Sequence, residues 1–241
     1  MKITLKPFKF KLFEVGQDQC AMKIGTDSVL LGAWTSIDHK PFSILDIGAG
    51  TGIIALMLAQ RSYAELIDGL EIDDAAYEQC TENFENSPWN DRLFCYHASL
   101  EEFTDEIEDK YDLIVSNPPF YSEDYKTNNS QRDMARFSDA MPFEHLIESV
   151  SKLLSASGKF SVIIPSKEGK GFIDLASKFG LFANRILQVK GSPTSEIKRS
   201  LIEFSFKQGV TVQRKELIIE TNRHQYTQDY INLTKDFYLK M

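Results

Sequence analysis

One turn restricts this chain more than any other stretch: Asp46-Ile47-Gly48-Ala49-Gly50-Thr51-Gly52. It closes the apolar run Ser43-Ile44-Leu45-Asp46-Ile47 and opens the apolar helical stretch from Ile53 to Gln60. Alternating glycines where a strand enters a helix permit positive φ and close backbone approach, which a bound nucleoside needs at this place in an α/β sheet. A dinucleotide fingerprint, G-x-G-x-x-G, would set its third glycine at position 53. Position 53 is Ile, and the glycine falls one residue earlier, at Gly52. Glu71 ends the next apolar run about 20 residues on, where a carboxylate accepts hydrogen bonds from both ribose hydroxyls.

The rest of the chain alternates in the same way. Strands are expected at residues 43–47, 66–71, 92–97, 112–116 and 159–165, then at 185–190 and 199–206, with Gly191-Ser192-Pro193 breaking the chain between the last two. A further strand is expected near 217–220, and an amphipathic helix from about Thr227. Helices fill the intervals. Asp74 is expected to cap one that runs to about Asn86, and Ser99 with Glu102 forms an S-x-x-E box at the start of another. Residues 142–154 and 167–179 complete the helical set, with Gly180 as a C-cap. Residues 121–141 are polar and aperiodic, and so long a connection favours a functional loop. This β/α alternation implies a doubly wound sheet whose site lies at the strand carboxyl ends.

Asn117-Pro118-Pro119-Phe120 stands at one such end, after the buried-strand run Leu113-Ile114-Val115. Two prolines cannot donate ladder hydrogen bonds, so the strand stops there in extended geometry. The product is a stiff strand end carrying an amide, unpaired carbonyls and an aromatic face. That set suits a planar amine: Asn117 Oδ1 and the Pro118 carbonyl accept its two hydrogens while Phe120 stacks on its ring.

Composition narrows the class. A chain of 241 residues with 42% apolar and 26% charged content matches a soluble globular protein with one α/β domain. No signal-peptide core or membrane-spanning run is present, so a cytoplasmic protein without a membrane partner is expected. Cys20, Cys80 and Cys95 lack CxxC spacing, and the four histidines lack ligand spacing, so reduced thiols and no metal are expected. The net charge of −8 is unevenly spread: +4 over residues 1–11, −16 over 12–182 and +4 over 183–241. Basic ends on an acidic body are either a polyanion-binding rim or a solvated surface, and linear position leaves both open. Candidate RNA contacts are Lys6, Lys9, Lys11, Lys198 and Arg199. Arg132 and Arg136, four apart, join them if they pair with phosphates rather than with Asp133 or Asp139.

D-x-G-x-G-x-G at Asp46–Gly52, the acid Glu71 and the sequence Asn117–Phe120 together resemble the class I S-adenosylmethionine-dependent methyltransferases that act on amines. The stretch from Cys20 to Trp34, Phe10-Lys11, Asn86-Ser87-Pro88-Trp89, Arg132, Ala135-Arg136-Phe137 and the tail from Tyr226 to Lys240 are similar to the bacterial tRNA(Val) adenine N6-methyltransferases, over nearly the whole chain. The resemblance implies a mostly parallel, seven-stranded, Rossmann-like sheet with an antiparallel C-terminal strand. Residues 1–42 would be a cofactor-covering extension, 43–206 the core and 207–241 a C-terminal extension. The implied activity is N6-methylation of adenine 37 in the anticodon loop, with a tRNA partner and a monomer favoured.

Under that resemblance Lys23, Thr26 and Asp27 fold over the methionine end of the cofactor, unless Thr26 or Asp27 simply caps a helix. Asp46, Gly48, Ala49, Gly50, Gly52, Glu71, Ile72 and Asn117 complete the cofactor set. The family often carries an acid after the third strand to reach the adenine amino group. This chain has Ala98-Ser99-Leu100, where Ser99 serves the adenine or only a helix cap and the amides near Leu100 read the ring edge. Rival substrates for the same amine geometry are protein glutamine and a guanine or adenine of rRNA. A silent RNA-binding scaffold is the non-enzymatic alternative.

Overall fold

The computed structural model describes residues 6–119 and 141–241. Phe120, Arg132, Arg136 and nearly all of the expected functional loop lie outside the described residues. Strands β3 (Ser43–Ile47), β4 (Leu66–Glu71), β5 (Leu93–His97), β6 (Tyr111–Ser116), β7 (Leu154–Pro165), β8 (Phe182–Lys190), β9 (Ile197–Ser205) and β10 (Gln213–Ile218) form one sheet. Its order is β10-β8-β9-β7-β6-β3-β4-β5. All neighbours are parallel except β9, which runs antiparallel to both β7 and β8. The reason is local. Residues 191–196 between β8 and β9 are too few for a crossover, so the chain must turn back on itself. Strands β3 to β9 are the seven expected ones, and the C-terminal extension adds β10 as an eighth, at the edge beside β8.

Helices cover both faces because the strands alternate. Ile44, Leu113, Val115 and Ile163 face α1 (Thr26–Trp34), α2 (Ile53–Arg61) and α3 (Asp74–Glu85). Leu45, Ile114, Val162 and Ile164 face α4 (Leu100–Glu106), α5 (Phe143–Leu153) and α6 (Gly169–Lys178). Every residue of β3 is buried, as a central parallel strand covered on both sides requires.

A small hairpin, β1 (Phe8–Lys9) with β2 (Glu14–Val15), precedes α1. After β10 come the short pair β11 (Glu220–Asn222) and β12 (Gln225–Tyr226), then α7 (Gln228–Thr234), which packs in the α1–α2 face through Tyr230. The caps correct the sequence reading at α3. Asp73, not Asp74, is the cap, accepting from Ala76 N at 2.8 Å. The Ser99–Glu102 capping box is formed in both directions, and Gly180 follows α6 at φ 79°.

Candidate active site

Parallel register brings three strand ends into line. Ile47 pairs with Ser116 on one side and with Leu70 on the other. The next residues, Asn117, Gly48 and Glu71, therefore stand side by side at the carboxyl ends of β6, β3 and β4, about 4.8 Å apart per strand. Ser116 Oγ donates to Ile47 O at 2.8 Å and locks the first two of these ends together.

The glycines divide the work. Gly48 and Gly50 have φ of 73° and 56°, and a Cβ on either would meet nothing within 4 Å, so both face open space above the turn. Gly52, at φ 75°, is different: a Cβ there would lie 2.5 Å from Phe84 and 2.9 Å from Cys80, so it lets α3 pack against the turn. Gly48 N and Ala49 N donate to Leu70 O at 2.9 and 3.0 Å. Glu71 Oε2 accepts from Gly50 N at 2.8 Å, while Oε1 accepts from Ile72 N and Asp73 N at 2.9 and 3.0 Å. The carboxylate thus ties the glycine turn to the end of β4 and retains lone pairs for a diol. Ile72, beside it, is 67% exposed, an apolar side chain available to a planar ring.

Asp46 lies beneath the turn, fully buried. Oδ2 accepts from Ala55 N at 3.2 Å, and Oδ1 has no partner among the described residues. Burial, followed by the nearby Glu71 charge, pushes its carboxyl up to about 7, against the one bond that lowers it. The orphaned buried oxygen and the open cradle over Gly48 and Gly50 fit a nucleoside cofactor with donors to offer.

Residues N-terminal to α1 are tied over this region by two side chains that sequence reading had missed. Asn83 Oδ1 accepts from Gly16 N at 2.7 Å, and Asn83 Nδ2 donates to Gly16 O and Thr51 O at 2.9 and 2.8 Å. Gln79 Oε1 accepts from Gln19 N at 3.2 Å. The Lys23 ammonium donates to the carbonyls of Gln17 and Cys20. Burial and the Glu71 charge push the Cys20 thiol up to about 12. Gly25 occupies the cap position of α1, so neither Thr26 nor Asp27 caps it. Asp27 instead accepts from Arg199 Nε at 2.7 Å.

Asn117 is half-buried, as is Pro119, with Pro118 buried between them. The Asn117 amide Nδ2 donates to Ser28 Oγ of α1 at 3.0 Å. Ser28 sits inside the Cys20–Trp34 stretch, but nothing in a single sequence marks it apart from its neighbours. Ser99 Oγ is engaged in the cap of α4, and Leu100 is buried at the first position of that helix.

The basic candidates separate. Lys9 pairs with Glu14 at 2.6 Å. Lys11 Nζ donates to Lys235 O and Met241 O at 2.5 and 2.9 Å, close to Gln60 and Arg61 at the far end of α2. Helix α2 begins at the glycine turn, so its nine residues, a length of about 13.5 Å, lie between Lys11 and the strand ends. Arg199 pairs in register with Pro165, at the carboxyl end of β7, and Lys198 is exposed next to it. Lys6 is exposed. Among the described residues no cluster of His, Cys, Asp and Glu has metal-site geometry, and no helix is long and apolar enough to cross a membrane.

Residues 23–188 match the family model described as methyltransferase small domain. The tRNA1(Val) (adenine(37)-N6)-methyltransferase of Flavobacterium psychrophilum is 65% identical over 97% of this chain and 100% of its own length. The chain belongs to that methyltransferase family. The Bacteroides fragilis protein of the same name is 46% identical, covering 97% of this chain and 98% of its own. A predicted O-methyltransferase from Agrobacterium tumefaciens shares the fold, with a TM-score of 0.68 at 20% identity over 88% of this chain and 96% of that one. The matched region of the methyltransferase family model runs from Lys23, just ahead of α1, to Gln188 in β8, and so includes every described strand end that lines the site.

Proposed function

We propose that this chain transfers the methyl group of S-adenosylmethionine to N6 of adenine 37 in tRNA(Val), as a cytoplasmic enzyme. The observation that carries the reading is the alignment of Asn117, Gly48 and Glu71 on three adjacent strand ends, joined to the relatives that carry this activity in their names. When bound, S-adenosylmethionine supplies an electrophilic sulfonium methyl. Gly48, Ala49 and Gly50 cradle its nucleoside. Glu71 accepts from the ribose hydroxyls, Ile72 covers one face of the adenine, and the amide of Leu100 reads the ring edge while Ser99 caps its helix. Asp46, fully buried beneath the turn, engages the methionine end through water or backbone amides. Lys23, Thr26 and Asp27 wall that end through the segment tied to α3.

The exocyclic amine of adenine is a poor nucleophile because its lone pair is delocalised into the ring. Asn117 Oδ1 and the Pro118 carbonyl accept the two hydrogens and favour the tetrahedral amine that attacks in line. Pro119 holds the backbone extended, and Phe120 stacks on the base. This is positioning and electrostatics rather than general-base catalysis. Bound S-adenosylmethionine would supply the methyl group, its sulfur keeping the bonding pair, and the proton released by the methylated amine would pass to water. An anticodon-loop base is already partly unstacked, so turning it onto Phe120 costs a few kcal/mol or less. Lys198, exposed at the start of β9 beside the carboxyl end of β7, is a cation on that side that reaches the RNA backbone, and Arg199 next to it is held by Asp27. Arg132 and Arg136 belong to the same reading, as does exposed Lys6, whereas Lys9 and Lys11 are held elsewhere.

The experiment is incubation of the chain with labelled cofactor and, separately, bulk tRNA, rRNA or protein extract, with digestion of the RNA to nucleosides. Label recovered as N6-methyladenosine from tRNA alone is the expected result. Label in protein would favour the glutamine reading, label in rRNA the ribosomal one, and no label with intact cofactor binding the silent scaffold.

A further inference from the structure

We infer that Ser28 is a positioning residue for methyl transfer, holding the Asn117 amide with its oxygen toward the substrate amine. The inference rests on the function proposed above. A carboxamide has two nearly isosteric ends, an acceptor and a double donor, and only the acceptor end serves an incoming amine. Turned the other way, Asn117 would present two hydrogens to the two hydrogens of adenine N6, and the lone pair of the amine would gain nothing. Asn117 Nδ2 donates to Ser28 Oγ at 3.0 Å, so the acceptor Oδ1 is the end of the amide that Ser28 does not engage.

The position of Ser28 is itself fixed from both directions along the chain. Its neighbour Asp27 is bound by Arg199 Nε at 2.7 Å, and Arg199 stands opposite Pro165 at the end of β7. On the other side, Ile24 N donates to Gln17 Oε1 at 3.0 Å and Lys23 is held by the Gln17 and Cys20 carbonyls. The first turn of α1 is therefore pinned between the N-terminal segment and β9, with the Ser28 hydroxyl presented to Asn117. Ser28 reaches substrate only through Asn117.

The test uses the full chain and a tRNA(Val) transcript, with single-turnover rates at saturating cofactor and enzyme in excess. Alanine is a better helix former than serine, so Ser28→Ala leaves α1 intact. The expected result is a methyl-transfer rate about five- to tenfold lower, the range of one neutral hydrogen bond, with cofactor Kd and tRNA KM within about twofold of wild type. Ser28→Thr, which keeps the hydroxyl, is expected to recover most of the rate. The discriminating measurement is the double variant: in an Asn117→Ala background, Ser28→Ala should cost nothing further, because the group it positions is gone. A Ser28→Ala rate equal to wild type overturns the inference, and so does an undiminished loss in the Asn117→Ala background. A wild-type chain that methylates no tRNA would overturn the proposed function instead, and this inference with it.

Discussion

At the scale of single residues, one buried carboxylate and one that faces its ligand carry distinct expectations. Glu71 accepts three backbone N–H groups and, in the proposed complex, two hydroxyls. Glu71→Ala is expected to weaken S-adenosylmethionine binding by about 1.5–3 kcal/mol, the scale of hydrogen bonds to a charged group; calorimetry checks it. Asp68 accepts from the Tyr111 hydroxyl at 2.6 Å, and burial raises its carboxyl to about 6, against the opposing effect of that bond. A carboxyl raised on folding binds its proton more tightly in the native state, so its contribution is full below about pH 4 and is lost as pH rises through 6. Asp68→Asn should therefore be more stable than wild type at pH 7.5, by up to about 3 kcal/mol. The gap should close as pH falls to 4, and urea unfolding across that range would show it. Ser28 and Asn117 illustrate what a single sequence hides. The Asn-Pro-Pro-Phe signal was legible because proline forbids ladder bonding, but the amide's partner lies 89 residues away and has no local signature.

At the scale of elements, short continuous apolar runs marked the strands, and the glycine spacing marked the turn, because both depend on neighbours in the chain. What stayed hidden depends on tertiary meetings. The sequence presents Gly48, Gly50 and Gly52 as equals, yet the first two face open space and the third faces Phe84 and Cys80. Gly52→Ala is expected to cost about 1–3 kcal/mol of stability through overpacking, in addition to the strain of its positive φ. Gly50→Ala, with no atom within 4 Å of the added methyl, should lose only the conformational part, about 1 kcal/mol, and should instead impair cofactor binding. Paired denaturation and calorimetry on the two variants separate these effects. The start of α1 was equally tertiary: a cap at Thr26 or Asp27 was one of two readings, and neither residue caps the helix, Asp27 serving as the anchor to Arg199.

At the scale of the whole molecule, charge was the least legible property. The basic N-terminal segment was open to two readings, half of an RNA rim or a solvated surface, and in the structure Lys11 bonds to carbonyls 224 and 230 residues away while Lys9 is paired with Glu14. Exposed cations by the end of β7 and the start of β9 include Lys167, Lys170 and Lys198. Neutralising Lys170 and Lys198 together should weaken tRNA binding and flatten its salt dependence by up to about two units, since each phosphate contact releases bound counterions. The same change at Lys9 and Lys11 should leave that slope unaltered. An equal effect from both pairs would place the RNA footprint elsewhere.

The most direct test of the account sets Asn117→Ala beside wild type in single-turnover methyl transfer to tRNA(Val), with the product digested to nucleosides and cofactor affinity measured in parallel. Wild type should yield N6-methyladenosine at position 37. The variant should lose about a hundredfold or more of the rate, as when a preorganised hydrogen-bonding group is removed from a reacting centre, while binding S-adenosylmethionine as tightly as before. A variant that keeps the wild-type rate, or a wild type that forms no N6-methyladenosine, would contradict it.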